Sequence, residues 1–118
     1  MEKRFESIEV RLVRSLLANN MKIATAESCT GGMIASKITS VAGASECFDC
    51  GVVTYSNEQK HKLLGVSEET LTKYGAVSEE VALEMCKGVK VLANSDFGIS
   101  VTGIAGPGGA GFVDETAE

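Results

Sequence analysis

The chain is poor in the residues that mark several large classes of protein. It has one proline, one histidine and no tryptophan among 118 residues, and aromatic residues make up 5 %. The single proline excludes collagen-like and proline-rich disordered chains. No apolar run approaches the ~20 residues that span a bilayer. The amino terminus, MEKRFESIEV, carries acidic side chains where a signal peptide requires an apolar segment. We therefore expect a cytoplasmic protein that does not bind a membrane.

Basic charge is also scarce. The chain has 11 basic and 16 acidic residues, a formal net charge of -5. Proteins that bind nucleic acid usually present a basic face, and the densest basic stretch here, residues 60–62, is short. We therefore expect no nucleic-acid partner. A small anionic ligand remains compatible with this charge, because backbone amides can hold a phosphate without a basic protein.

The four cysteines include one CxxC pair, Cys47 and Cys50, which is typical of half a zinc site or of a redox motif. A zinc site needs more ligands, and His61 is the sole histidine. A redox motif normally opens a helix, whereas a β-rich segment follows Cys50. We predict reduced thiols beside a strand, with neither metal nor cofactor.

The length predicts a single domain over residues 1–118. Hydrophobic spacing predicts helices over 5–17, 33–38, 57–64 and 78–93, a short helix after Ser67, and strands over 22–26, 50–55 and 96–101. The predicted cap of the helix over 57–64 is Asn57. Alternating strands and helices indicate an α/β fold with a largely parallel sheet. Ligands of such sheets lie beyond the carboxyl ends of the strands, so the loops that follow the three strands should form one site.

The first of these loops, residues 25–32, brings Ser28 and Cys29 to a predicted junction of strand and helix. Free amides at the start of the helix could stabilise an oxyanion or bind a phosphate. The alternative is an ordinary helix cap, in which Ser28 or Thr30 satisfies backbone donors while Gly31 and Gly32 form the turn. Taken alone, this loop favours the cap.

The second loop, residues 55–60, offers Tyr55 and Lys60. A serine nucleophile needs a base, and a lysine can serve if burial lowers its pKa. Tyr55 could then orient the amine. The alternative is a solvated helix lysine beside a half-buried aromatic, and taken alone this loop favours that alternative.

The third loop, residues 102–109, is rich in glycine. Gly103, Gly106 and Gly108 leave backbone amides unshielded, which suits an anion-binding nest beside Thr102. A flexible surface loop would hardly place Ile104 and Pro107 among the glycines, so a binding role is favoured.

The strings AESCTGG (26–32), TYSNEQK (54–60), YGAVSEEVA (74–82) and VTGIAGPGG (101–109) together resemble the CinA C-terminal domain family, over most of residues 5–109. The resemblance implies a three-layer α/β/α domain, usually a homodimer, that hydrolyses the carboxamide of nicotinamide mononucleotide in pyridine-nucleotide salvage. The family's functional positions match Ser28, Tyr55, Lys60 and Thr102. Members continue with a further strand, a helix and a functional arginine, which we expect this chain to lack.

Two other functions compete with a metal-free amidohydrolase. One is a catalytically weak nucleotide-binding or dimerisation module of the same fold, and the other is a thiol enzyme that uses Cys29.

Overall fold

The computed structural model describes residues 6–103. Along the chain these residues form five α-helices, three strands and one 3₁₀ turn. The elements are α1 (Ile8–Asn19), β1 (Ile23–Glu27), α2 (Met33–Thr39), the 3₁₀ turn (Ala44–Glu46), β2 (Cys50–Val53), α3 (Asn57–Leu64), α4 (Glu68–Tyr74), α5 (Glu79–Ala93) and β3 (Phe97–Val101).

The three strands form one parallel sheet in the order β2-β1-β3. Every residue of the central strand β1 is buried, as expected for a strand covered on both faces. Glu27, the last residue of β1, pairs with Val53 on one side and with Val101 on the other. Since these are also the last residues of β2 and β3, the carboxyl ends of all three strands lie at one level.

Helices cover both faces of the sheet. On one face α1, α2 and the 3₁₀ turn pack around a core that includes Val13, Ile23 and Ile38. On the other face α3 and α5 enclose a second core that includes Ala24, Ala26 and Met85. Alternate residues of β1 therefore serve opposite cores. The predicted α/β class, with a parallel sheet in a three-layer domain, is confirmed. No helix within residues 6–103 combines the length and hydropathy needed to cross a membrane.

Serine side chains begin four of the five helices. Ser7, Ser56, Ser67 and Ser78 each accept a hydrogen bond from the amide three residues later, which satisfies a donor that the helix leaves unpaired. The predicted cap Asn57 was wrong by one residue: Ser56 caps α3 and Asn57 is its first residue. Helix α2 differs, because its N-cap is Gly32, in a left-handed conformation and without a side-chain cap.

Several predicted boundaries shift by one to three residues. Strand β2 ends at Val53 rather than at residue 55, so Tyr55 lies beyond the sheet and is exposed. Helix α1 extends to Asn19, and Asn20 ends it with a positive φ of 56°. In α5 the predicted apolar face is buried at Val81, Met85 and Val89, whereas Leu92 is 46 % exposed.

Candidate active site

A cleft opens where the three strands end. It has a volume of about 250 Å³ and is lined by Ser28, Cys29, Tyr55, Asn57, Lys60, Ala76, Val77 and Gly103. Ser28 and Cys29 directly follow β1, Tyr55 follows β2 and Gly103 follows β3. Residues from all three loops therefore lie in one cleft, as expected.

Ser28 is held by the sheet although it lies just past the end of β1. Its amide donates to the carbonyl of Val101 at 3.0 Å, which extends the ladder with β3 by one bond. The residue is 5 % exposed, yet it lines the cleft, and its hydroxyl makes no hydrogen bond to another residue of the described part of the chain. The backbone of Ser28 is thus fixed while its Oγ is left open to a ligand. Cys29, the next residue, is a half-buried free thiol in the same cleft.

The carboxylate of Glu27 replaces the missing side-chain cap of α2. Its Oε2 accepts from the amide of Ala35, and its Oε1 accepts from the amide of Ile34, both at 2.8 Å. Oε1 also accepts from the hydroxyl of Thr30 at 2.6 Å. Glu27 is 1 % exposed.

This contact corrects the expectation that the start of the helix offers free amides. Glu27 already occupies the amides of Ile34 and Ala35, so neither of them serves an oxyanion or a phosphate. Glu27 was missed from the sequence because the capping side chain lies in the preceding strand, outside the usual N-cap positions. The signal that could have found it was a carboxylate at the end of a strand just before a glycine-rich turn.

Lys60 is the buried cation of the cleft. It lies on α3 and is 2 % exposed. Burial lowers the pKa of Lys60 below its usual value, because desolvation disfavours the ammonium form, and the interaction with Cys29 opposes this shift. None of the ion pairs formed among residues 6–103 involves Lys60. A buried lysine that forms no ion pair with a described carboxylate is a candidate base.

Tyr55 and Gly103 line the cleft, whereas Thr102 lies beside it. The Tyr55 side chain is 69 % exposed, so it stands at the rim. The Thr102 hydroxyl donates to the carbonyl of Ala76 at 2.8 Å and ties the end of β3 to the segment before α5.

Three of the remaining predicted ligands do not line the cleft. Thr30, Gly31 and Gly32 belong to the turn behind Ser28 and do not line the cleft. Gly31 and Gly32 adopt φ angles of 66° and 106°, which only glycine adopts readily. Gly106 and Gly108 lie outside the described residues, so their predicted roles stay predictions.

His61 and the CxxC pair lie apart from the cleft. The Nδ1 atom of His61 contacts the carbonyl oxygen of Val66 at 2.7 Å, and its Nε2 faces Glu68 at 3.7 Å, in a separate surface cleft. Cys47 is fully buried in the core beside α1, where desolvation raises its pKa. All four cysteines are free thiols. Within residues 6–103 no three His, Cys, Asp or Glu side chains gather as a metal site would require.

Fold and cleft together define an α/β domain with a cleft at the carboxyl edge of a parallel sheet, the edge at which such folds usually bind ligands. A family model described as the CinA C-terminal domain matches residues 5–113. The chain therefore belongs to the CinA C-terminal domain family.

Three relatives illustrate the match. The chain is 55 % identical over 108 residues to the "Nicotinamide-nucleotide amidohydrolase PncC" of Enterobacter agglomerans, covering 92 % of this chain and 66 % of that protein. It is 56 % identical over 104 residues to a "CinA-like protein" of Kosmotoga olearia, covering 88 % of this chain. The chain spans 25 % of that protein, and the same share of a competence-damage inducible protein of Caldanaerobacter subterraneus.

Solved structures agree in fold. A CinA superfamily protein of Escherichia coli superposes with a TM-score of 0.82 at 39 % identity, covering 86 % of this chain and 59 % of that one. The competence/damage inducible protein CihA of Agrobacterium tumefaciens gives a TM-score of 0.79 at 43 % identity, covering 94 % and 69 %.

Proposed function

We propose that this cleft hydrolyses the carboxamide of nicotinamide mononucleotide to nicotinate mononucleotide and ammonia. The observation that carries the proposal is that Ser28 and the buried Lys60 line one cleft. The name of the Enterobacter agglomerans relative supports the substrate. The reaction would serve pyridine-nucleotide salvage in the cytoplasm, in a homodimer, without metal or cofactor.

In the first half-reaction the Oγ of Ser28 attacks the carboxamide carbon while neutral Lys60 takes the hydroxyl proton. A carbon–oxygen bond forms and the carbonyl becomes an oxyanion. The carbon–nitrogen bond then breaks, and the Lys60 ammonium returns the proton to the leaving nitrogen, so that ammonia departs. An acyl ester on Ser28 remains.

In the second half-reaction water replaces the amine. Lys60 accepts a proton from the water, which attacks the ester carbon, and Ser28 recovers its proton as the ester bond breaks. The product is the nicotinate nucleotide. The backbone amide of Cys29 is the proposed oxyanion donor, because Cys29 lines the cleft and no hydrogen bond from its amide is found within residues 6–103.

The nucleotide portion of the substrate is assigned to the outer parts of the site. Tyr55, at the exposed rim, is proposed to orient the Lys60 amine once substrate covers both. Thr102, Gly103, Gly106 and Gly108 are proposed to hold the ribose phosphate. Thr30, Gly31 and Gly32 are proposed to contribute through backbone groups, since Glu27 already engages the Thr30 hydroxyl.

The test is ammonia release from three substrates: nicotinamide mononucleotide, its riboside without the phosphate, and free nicotinamide. We expect turnover of the mononucleotide, a much lower kcat/KM for the riboside, and none for nicotinamide. Equal rates with all three would contradict a nucleotide site. Binding of the mononucleotide by calorimetry without ammonia release would favour the nucleotide-binding module instead.

A second candidate is a thiol enzyme that uses Cys29. The observation in its favour is that Cys29 lines the same cleft and interacts electrostatically with Lys60. Cys29→Ala separates the two candidates, because it removes a thiol nucleophile and leaves Ser28 intact.

A further inference from the structure

Glu27 makes three hydrogen bonds that all fix the turn carrying Ser28. It is the last residue of β1 and the immediate neighbour of Ser28, while its carboxylate reaches forward to Thr30, Ile34 and Ala35. The segment from Glu27 to Ala35 is therefore closed into a loop, with Ser28 and Cys29 at its start. The start of this loop is also anchored to β3, because the amide of Ser28 donates to the carbonyl of Val101.

We propose that Glu27 is a positioning residue that sets the direction of the Ser28 hydroxyl. This inference rests on the proposed function and extends it to a residue that does not touch substrate. Helix α2 has no side-chain cap of its own and begins after two glycines with positive φ. Without the carboxylate, such a turn has more conformations open to it, and Ser28 would lose its alignment on the carbonyl carbon.

The same chain contains a matched control. Glu84 on α5 also contacts the start of a helix: one oxygen accepts from the amide of Ser67 at 2.8 Å, and the other accepts from the hydroxyl of Thr70 at 2.7 Å, although α4 has its own Ser67 cap. Helices α2 and α4 each have seven residues. Glu84 does not line the cleft, so Glu84→Gln weakens carboxylate contacts at a helix start away from Ser28.

A glutamine at either position keeps the shape of the side chain but replaces one acceptor oxygen by a donor NH₂. At position 27 at least one of the amides of Ile34 and Ala35 then faces a donor. We expect Glu27→Gln and Glu84→Gln both to lower Tm. In Glu27→Gln alone we expect kcat for nicotinamide mononucleotide to fall about 10- to 100-fold with little change in KM, because misalignment of a nucleophile costs rate.

The test compares the wild type, Glu27→Gln and Glu84→Gln in two assays. The first measures kcat and KM, and the second measures the rate at which a fluorophosphonate probe labels Ser28, which needs no substrate. A purely structural role predicts the same kcat, per folded molecule, in both variants, so a kcat in Glu27→Gln within about twofold of Glu84→Gln would overturn the inference. A raised KM at unchanged kcat would also overturn it.

The labelling assay separates the inference from the proposed function. If the wild type is labelled at Ser28 but releases no ammonia, the proposed substrate is wrong, and slower labelling of Glu27→Gln still supports the inference. If the wild type shows neither reaction, both proposals fail. If Glu27→Gln does not fold, Thr30→Val serves instead, because it removes one of the three hydrogen bonds to Glu27. A reduced kcat and slower labelling in Thr30→Val support the inference, and unchanged values contradict it.

Discussion

At the scale of the residue, the chemistry proposed for the cleft depends on the protonation state of Lys60. A lysine acts as a base only when neutral, and its ordinary pKa is about 10.4. Burial lowers the pKa of Lys60, which increases the neutral fraction near neutral pH. The rate should therefore rise with pH along a limb set by the deprotonation of Lys60.

Lys60→Arg should be nearly as damaging as Lys60→Ala. Arginine keeps the positive charge but does not release its proton in a protein. We expect each variant to lose at least about 100-fold in kcat, and Tyr55→Phe to lose less than either. The measurement is kcat across pH 6–10 for all three variants. Retention of most activity by Lys60→Arg would make Lys60 a cationic contact and require another base.

The burial of Lys60 should also lower the unfolding free energy of the protein. Between the lowered pKa of Lys60 in the folded state and about 10.4 in the unfolded state, the unfolded chain binds more protons. Unfolding free energy therefore rises with pH across that window. The destabilisation is full below the folded-state pKa, at about 1.4 kcal/mol per unit of lowering, and it disappears above the unfolded-state pKa.

Lys60→Met should consequently stabilise the fold while it abolishes activity. Methionine fills a similar volume without a charge to desolvate. Urea unfolding at pH 6 and at pH 10 should show that Lys60→Met raises the unfolding free energy more at pH 6. Subtracting the wild-type value at each pH removes the contribution of the other titrating groups. A loss of stability at pH 6, or a gain that grows with pH, would contradict this effect of burial.

At the scale of the element, Gly88 sets how closely α5 approaches α3. A Cβ at this position would lie 2.0 Å from the carbonyl oxygen of Leu64. In an isolated helix, alanine in place of glycine gains up to about 1 kcal/mol, but overpacking against a backbone that cannot move aside costs typically about 1–3 kcal/mol or more. We expect the cost of the clash to exceed the gain in helix propensity.

Gly88→Ala should therefore lower the unfolding free energy by about 1–2 kcal/mol. The matched control is Lys87→Ala, a change at the adjacent exposed position of the same helix, which should stay within about 0.5 kcal/mol of the wild type. Urea unfolding measures both. Stabilisation by Gly88→Ala would mean that α3 and α5 separate without cost.

The elements themselves were largely predictable because their signals are local. Hydrophobic spacing and flanking polar residues placed α5 and α3 to within one residue, although the cap of α3 was predicted as Asn57 and the end of β2 was predicted two residues too late. Glu27 was not predictable in this way, because its contacts with Ile34 and Ala35 depend on how β1 meets α2. Leu92 was misassigned because a helical period does not reveal where the neighbouring element ends.

The candidate site was also predictable only in part. Ser28, Tyr55, Lys60 and Gly103 share the predicted cleft because parallel strands of matched register end together. The burial of Lys60 was a hypothesis that local sequence signals could not decide, since it depends on the phase of α3 against the sheet. The sequence alone could not predict which amides at the start of α2 are already hydrogen-bonded.

At the scale of the whole molecule, the proposed mechanism makes the domain a metal-free enzyme. We expect ammonia release to survive an excess of EDTA, and the purified protein to hold no stoichiometric zinc. The reason is that the proposed nucleophile and base need no Lewis acid to activate them. One equivalent of tightly bound zinc together with a chelator-sensitive rate would contradict this and return attention to Cys47 and Cys50.

The central claim is that Ser28, not its neighbour Cys29, attacks the carboxamide. The most direct measurement is ammonia release from nicotinamide mononucleotide by Ser28→Ala and by Cys29→Ala, each with calorimetric binding of the same nucleotide. We predict that Ser28→Ala loses at least about 1,000-fold in kcat and still binds, while Cys29→Ala stays within a few-fold of the wild type. Near-normal turnover by Ser28→Ala, or loss of turnover in Cys29→Ala alone, would contradict the claim.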